Sequence, residues 1–265
     1  MIKIKNLKVW VWEKVILNWV NIEFEIWKNY CLLWKNGSGK STLSSFLMWH
    51  PWYNYIEWSV EIDWKDLFSL WVEERSAAWL FLSFQNVPEI TGINLWEYLR
   101  IIYNISLKNI NKDQKDISPF IFKRHVKKYL DELSIPEIFL DRDLNVGFSG
   151  WEKRKIEILQ MKLIWPKYII LDEIDSWLDL DAFRAVAEML KNLSSENNTL
   201  IIITHYFKIL EYVSVDKVYV MKDWKVEREW WIDMINEIME KGKKKKRREL
   251  TLSHLLEVWD ITLQT

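Results

Sequence analysis

The chain has 265 residues, 37 of them basic and 38 acidic, for a net charge of −1. That balance excludes a global pull toward nucleic acid or an anionic membrane, and a hydrophobic share of 49% excludes wholesale disorder. One cysteine excludes a disulfide framework and any multi-cysteine metal site.

No apolar run reaches the ~18 residues of a membrane span, and Met1-Ile2-Lys3-Ile4-Lys5 lacks the apolar core of a signal peptide. A cytoplasmic protein is the expectation. Two counts are abnormal: 19 Trp and 6 Gly. An ordinary glycine share of about 7% would give roughly 18 or 19 residues.

In chain order, the first strong element is an apolar strand, Tyr30 to Leu33. It runs into Trp34-Lys35-Asn36-Gly37-Ser38-Gly39-Lys40-Ser41-Thr42, and an apolar helix follows. Strand, glycine-rich loop and helix form the P-loop arrangement. Backbone N–H groups from Gly37 to Lys40 can wrap phosphate oxygens, and the helix N-terminus adds partial positive charge. Lys40 would reach the β- and γ-phosphates of ATP, and the Ser41 hydroxyl would ligate Mg²⁺. Position 34, where the pattern wants its first glycine, is Trp.

A second strand, Trp79 to Phe84, closes at Gln85, placed to sense Mg²⁺ or the attacking water. Segment 86–148 then breaks the strand rhythm, with a polar middle from Lys108 to Ser118. Phe122, Val126, Tyr129, Leu130 and Leu133 fall on one helical face. An inserted helical subdomain over about 89–159 is expected, within a core of 1–88 and 160–241. Phe148-Ser149-Gly150-Trp151-Glu152 precedes a helix expected to begin near Lys153.

The strand Tyr168 to Leu171 ends in Asp172 and Glu173, two carboxylates at the edge where ligands of α/β sheets bind. Asp172 would hold Mg²⁺ through water, and Glu173 would polarise the attacking water as general base. A helix from Phe183 to Leu193 leads to the strand Leu200 to Ile203. His205 follows it, on the same sheet edge, as a γ-phosphate contact. Val218 to Met221 and Lys225 to Glu227 read as a hairpin across Asp223-Trp224.

Beyond 241, a basic run, Lys243 to Arg248, precedes a short amphipathic stripe of Leu252, Leu255, Leu256 and Trp259. The basic run reads as a solvated link. Alternating strands and helices argue for an α/β fold with a mainly parallel sheet, here a P-loop NTPase with an antiparallel β part and the inserted helical subdomain.

These elements, in this order, resemble an ABC-type ATPase. The discriminating segment is Phe148-Ser149-Gly150-Trp151-Glu152, which resembles the signature loop. The resemblance implies that this loop contacts ATP held by a second subunit, so that two subunits clamp two ATPs in a transient dimer. The match is closer to the SufC branch, the ATPases of SUF iron–sulfur cluster assembly. Asn145 to Gly150, Glu152 to Met161, Leu171 to Asp179, Thr204-His205-Tyr206 and Phe84 to Ile90 carry it. In this branch Phe148 replaces the usual Leu, and Ile174-Asp175 follows Glu173 instead of Pro-Thr.

The resemblance covers about residues 1–241 and gives Ser176, Leu178 and Asp179 a D-loop role. It implies SufB- and SufD-like scaffold partners, reshaped by ATP binding, with neither nucleic-acid contact nor a span of its own. Two alternatives are an ATPase subunit of an ABC transporter and a non-hydrolysing scaffold.

The departures from the family share one form, Trp where glycine belongs. Trp34, Trp151 and Trp177 sit in the nucleotide loops. Trp27, Trp64 and Trp224 sit at turns, and Trp230-Trp231 sits where a flexible link is expected. Glycine serves such places because it accepts positive φ and close backbone approach. Some bacteria read UGA as glycine, and the expectation is that UGA was rendered here as Trp. With glycine at 34 and 151 the chain reads as a Mg²⁺-dependent ATPase. With real indoles the phosphate cradle and the dimer sandwich would be crowded.

Overall fold

The computed structural model describes residues 1–11, 14–34, 40–48, 54–55, 59–77, 80–84, 86–174, 180–193, 197–204, 207–222 and 225–231. The chain opens with a long antiparallel pair, β1 (Ile2–Val11) and β2 (Lys14–Phe24), followed by β3 (Tyr30–Trp34) and α1 (Lys40–Leu47). Short strands β4 (Asn54–Tyr55), β5 (Ser59–Ile62) and β6 (Lys65–Asp66) complete a first sheet with β1 and β2. Helix α2 (Val72–Ala77) and strand β7 (Leu80–Ser83) come next.

The helical insertion carries β8 (Ile90–Asn94), α3 (Leu95–Ile110), α4 (Pro119–Glu132), β9 (Asp143–Leu144) and α5 (Gly150–Ile164). The chain returns through β10 (Tyr168–Asp172), α6 (Leu180–Leu193), β11 (Thr199–Thr204), β12 (Lys217–Lys222) and β13 (Lys225–Trp231).

The second sheet has the order β13-β12-β3-β11-β10-β7. Its pairs are parallel except β12–β13. Alternate residues of β3 serve opposite faces, as the two-residue period of a strand requires. Tyr30 and Leu32 face a core shared with the first sheet and α1, through Leu7, Phe24, Leu43 and Phe46. Cys31 and Leu33 face α6, through Val186 and Leu190. Cys31 is therefore the small core residue its apolar strand suggests.

A third cluster holds the helical insertion together. Leu95 and Leu99 of α3, Phe122, Val126 and Leu130 of α4, and Ile156 and Leu159 of α5 form it. Helix α4 buries the stripe its periodicity predicts. Ser118 caps it and Pro119 occupies its first turn, where a missing N–H costs nothing.

Two expectations need correction. Trp230-Trp231 is not a link: both lie in β13, and Trp230 pairs with Val218 and is buried in the α6-side core. Helix α5 begins at Gly150 rather than near Lys153, because Ser149 and Glu152 form a capping box that fixes its start.

Candidate functional site

Parallel strands deliver their C-terminal ends to one edge, and the site is assembled there. Helix α1 starts at Lys40, with Ser41 and Thr42 in its first turn. Lys35, Asn36, Gly37, Ser38 and Gly39 lie outside the described residues, as do Gln85, Ser176, Leu178, Asp179 and His205. One turn after Ser41, the Ser44 hydroxyl donates to Asp172 Oδ2 at 2.8 Å in a buried bond. This ties the last residue of β10 to α1. Sequence reasoning missed Ser44, whose partner is 128 positions away along the chain.

Glu173 follows at φ +48, in the left-handed region that side chains of its size rarely adopt. Its N–H donates to the carbonyl of Ile203 at 2.9 Å, and its side chain is buried. Held backbone strain of this kind is found at sites where a side chain must be aimed. The donor chemistry suits Mg²⁺-ATP: a buried carboxylate pinned beside the first turns of α1.

At the other end of the insertion, Ser149 caps α5. Its hydroxyl accepts from the Glu152 N–H at 3.3 Å, and its own N–H donates to Glu152 Oε2 at 2.8 Å. The Ser149 N–H holds the Glu152 carboxyl below the usual carboxylate range, against slight burial and with help from the Ser149 hydroxyl. Ser149 and Gly150 are exposed, at a helix start that carries partial positive charge. Phe148 is buried and stacked on Phe139, with ring centroids 4.7 Å apart. The Trp151 ring packs at the edge of the α6-side core, under the Lys155 ammonium at 5.0 Å.

A buried ion pair joins these two regions. Arg154 Nη1 lies 2.6 Å from Glu157 Oε2, and it also donates to the Phe84 carbonyl at 2.8 Å. Glu157 accepts from the Ser83 hydroxyl at 3.0 Å and from the Phe84 backbone. Helix α5 thus grips both polar groups of the residue that precedes Gln85. Burial pushes the Glu157 carboxyl up, against the pull of Arg154, Ser83 and Phe84. Spacing alone gave no signal for this pair, since an Arg and Glu three apart on a helix usually face water.

The family model described as ABC transporter matches residues 17–176. The chain belongs to the ABC ATPase family. It is 38% identical over 244 residues to the "Probable ATP-dependent transporter ycf16" of Cyanidium caldarium, covering 92% of this chain and 95% of that protein. It is 34% identical to the "Iron-sulfur cluster assembly protein SufC" of Plasmodium falciparum, covering 87% of this chain and 66% of that one. A solved dimeric ATP-binding cassette in a post-hydrolysis state, bound to ADP and Pi, superposes with a TM-score of 0.71 at 22% identity. That match covers 88% of this chain and 99% of the cassette. Among the described residues, no helix is long and apolar enough to cross a membrane.

Proposed function

We propose that this chain is the ATPase subunit of a SUF-type assembly machine, driving conformational change in a SufB/SufD-like scaffold. The observation that carries the hydrolytic part is the Asp172–Glu173 pair, with Asp172 bonded to α1 through Ser44 and Glu173 hung from Ile203. The scaffold part is supported by the likeness to SufC, by Phe148, and by Ile174-Asp175 after Glu173.

In this reading Trp34 to Thr42 bind the nucleotide, with Lys40 on the β- and γ-phosphates. Ser41, Asp172 and Gln85 would hold Mg²⁺, which when bound neutralises phosphate charge. Glu173 orients the attacking water and accepts its proton. His205 contacts the γ-phosphate. Phe148 to Glu152 of one subunit act on ATP held by its partner, with Ser176, Leu178 and Asp179 beside them, in a dimer that opens after hydrolysis. The division into a core (1–88 and 160–241), a helical part (89–159) and a basic tail belongs to the same proposal, as does a cytoplasmic location.

The test is affinity purification of the tagged native chain. Recovery of SufB/SufD-like proteins supports the proposal. Recovery of a permease instead overturns it in favour of an ABC transporter subunit, the reading that the names of the ycf16 relatives favour. Phosphate release should be weak alone and rise with scaffold.

A further inference from the structure

Four tryptophans hold backbone conformations that bulky L-residues avoid. Among the described residues, nine non-glycine residues have clearly positive φ, and Trp19, Trp27, Trp64 and Trp165 are four of them. Asn6, Asp63 and Asn145 are also in this group, and their short polar side chains tolerate the left-handed region. Tryptophan has no such excuse, and each of the four occupies a niche of known glycine preference.

Trp64 is the sharpest case. Asp63 and Trp64 have φ of +48 and +68, between the paired residues Ile62 and Lys65. A two-residue hairpin loop with both φ positive is a type I′ turn, whose preferred sequence is Asn-Gly or Asp-Gly. The β12–β13 ladder pairs Lys222 with Lys225, and the two residues between them in sequence are again Asp-Trp.

Trp19 sits in a bulge of β2. From Leu17 to Val20 that strand takes three steps, while its partner takes two, from Val9 to Leu7. At φ +56, Trp19 holds the left-handed position that glycine fills in such bulges. A second bulge in the same ladder, in β1, is served by Asn6 at φ +52. Trp165 closes α5 at φ +45, with its N–H on the Met161 carbonyl, and Pro166 follows. Left-handed glycine and then proline is the usual helix stop. Trp27, at φ +66, makes the turn between β2 and β3. The Trp64 indole is 81% exposed and that of Trp27 62%, so little packing offsets the strain at these two turns.

We infer that the chain made in its own cells carries glycine at positions 19, 27, 64 and 165, decoded from a codon rendered here as Trp. The same codon then supplies glycine to the nucleotide-binding segment at 34 and to the signature at 151. The inference stands on backbone geometry and does not rest on the scaffold proposal. It makes no demand at Trp96 or Trp230, which lie in helical and extended backbone respectively; there the codon decides.

Peptide mass spectrometry of the chain isolated from its source cells, over residues 17–28, 60–67 and 160–167, is the test. Glycine at all four positions is the expected result, and tryptophan at any one overturns the inference. A UGG codon at any of the four does the same. In recombinant protein, Trp64→Gly should raise the melting midpoint by about 2–4 °C, because Trp64 is 81% exposed and loses little packing. A fall would contradict the assignment at that turn.

Discussion

Under the proposed function, Glu173 bears a conflict between folding and chemistry at a single residue. Its φ of +48 costs a non-glycine residue about 1–2 kcal/mol, and the bond from its N–H to Ile203 holds it there. Glu173→Gly should therefore raise stability by up to about 1 kcal/mol while abolishing hydrolysis. Glu173→Gln should keep the strain and still lower turnover by at least ~100-fold, with ATP binding retained. Both comparisons belong in a chain carrying Trp34→Gly and Trp151→Gly, measured by thermal melting and phosphate release side by side. A Gln variant that hydrolyses at the parental rate would remove Glu173 from the role of base.

Helix α5 concentrates three devices along its length: the Ser149–Glu152 box at its start, the Arg154–Glu157 grip on Phe84, and a left-handed stop at Trp165. The cap is the weaker. Ser149→Ala should cost about 1 kcal/mol. Because the folded Glu152 carboxyl lies below its ordinary value, the cap's contribution is present above about pH 4 and fades as the pH drops further.

The ion pair is the stronger device, since both side chains are buried. Arg154→Ala leaves the Glu157 carboxylate uncompensated and should cost about 3–5 kcal/mol. The double variant Arg154→Met, Glu157→Leu should lie much closer to the parent. Urea unfolding of the single and double variants measures the difference. A single-variant loss below about 1 kcal/mol would show that water reaches the pair.

At the scale of the whole molecule, what the sequence reveals follows its periodicity. The strands of the parallel sheet are continuous apolar runs because both faces are covered, and β3, β10 and β11 are legible for that reason. The β1–β2 pair is not, because bulges at Asn6 and Trp19 shift its register and break the two-residue alternation. The Asp172–Glu173 strand end is legible as a local pattern. Ser44 matters through a partner 128 positions away, and the Arg154–Glu157 pair through groups 70 and 74 positions away as well as through each other; no local pattern encodes those distant partners.

Asp63 is another long-range tie, and it joins the two sheets. From the turn after β5 in the first sheet, it receives Lys167 Nζ at 2.5 Å and the Tyr168 hydroxyl at 2.7 Å, both at the entry to β10 in the second. The amino terminus of Met1 completes the cluster at 2.5 Å. Partial burial pushes the Asp63 carboxyl up, but the bonds from Lys167, the amino terminus and Tyr168 outweigh it and leave it below the ordinary value. The folded carboxyl therefore holds its proton less tightly than the unfolded one. Its stabilisation is complete above about pH 4 and disappears as the pH falls through the folded value.

The Asp63 side chain is 36% exposed, so solvent screening limits the contribution to about 1 kcal/mol. Asp63→Asn should accordingly lower stability by about that amount at pH 7, and parent and variant should converge as the pH drops below about 4. Urea unfolding across that range reads both. A gap that persists unchanged at pH 3 would mean that the asparagine disturbs the turn itself, and that charge does not hold the two sheets together.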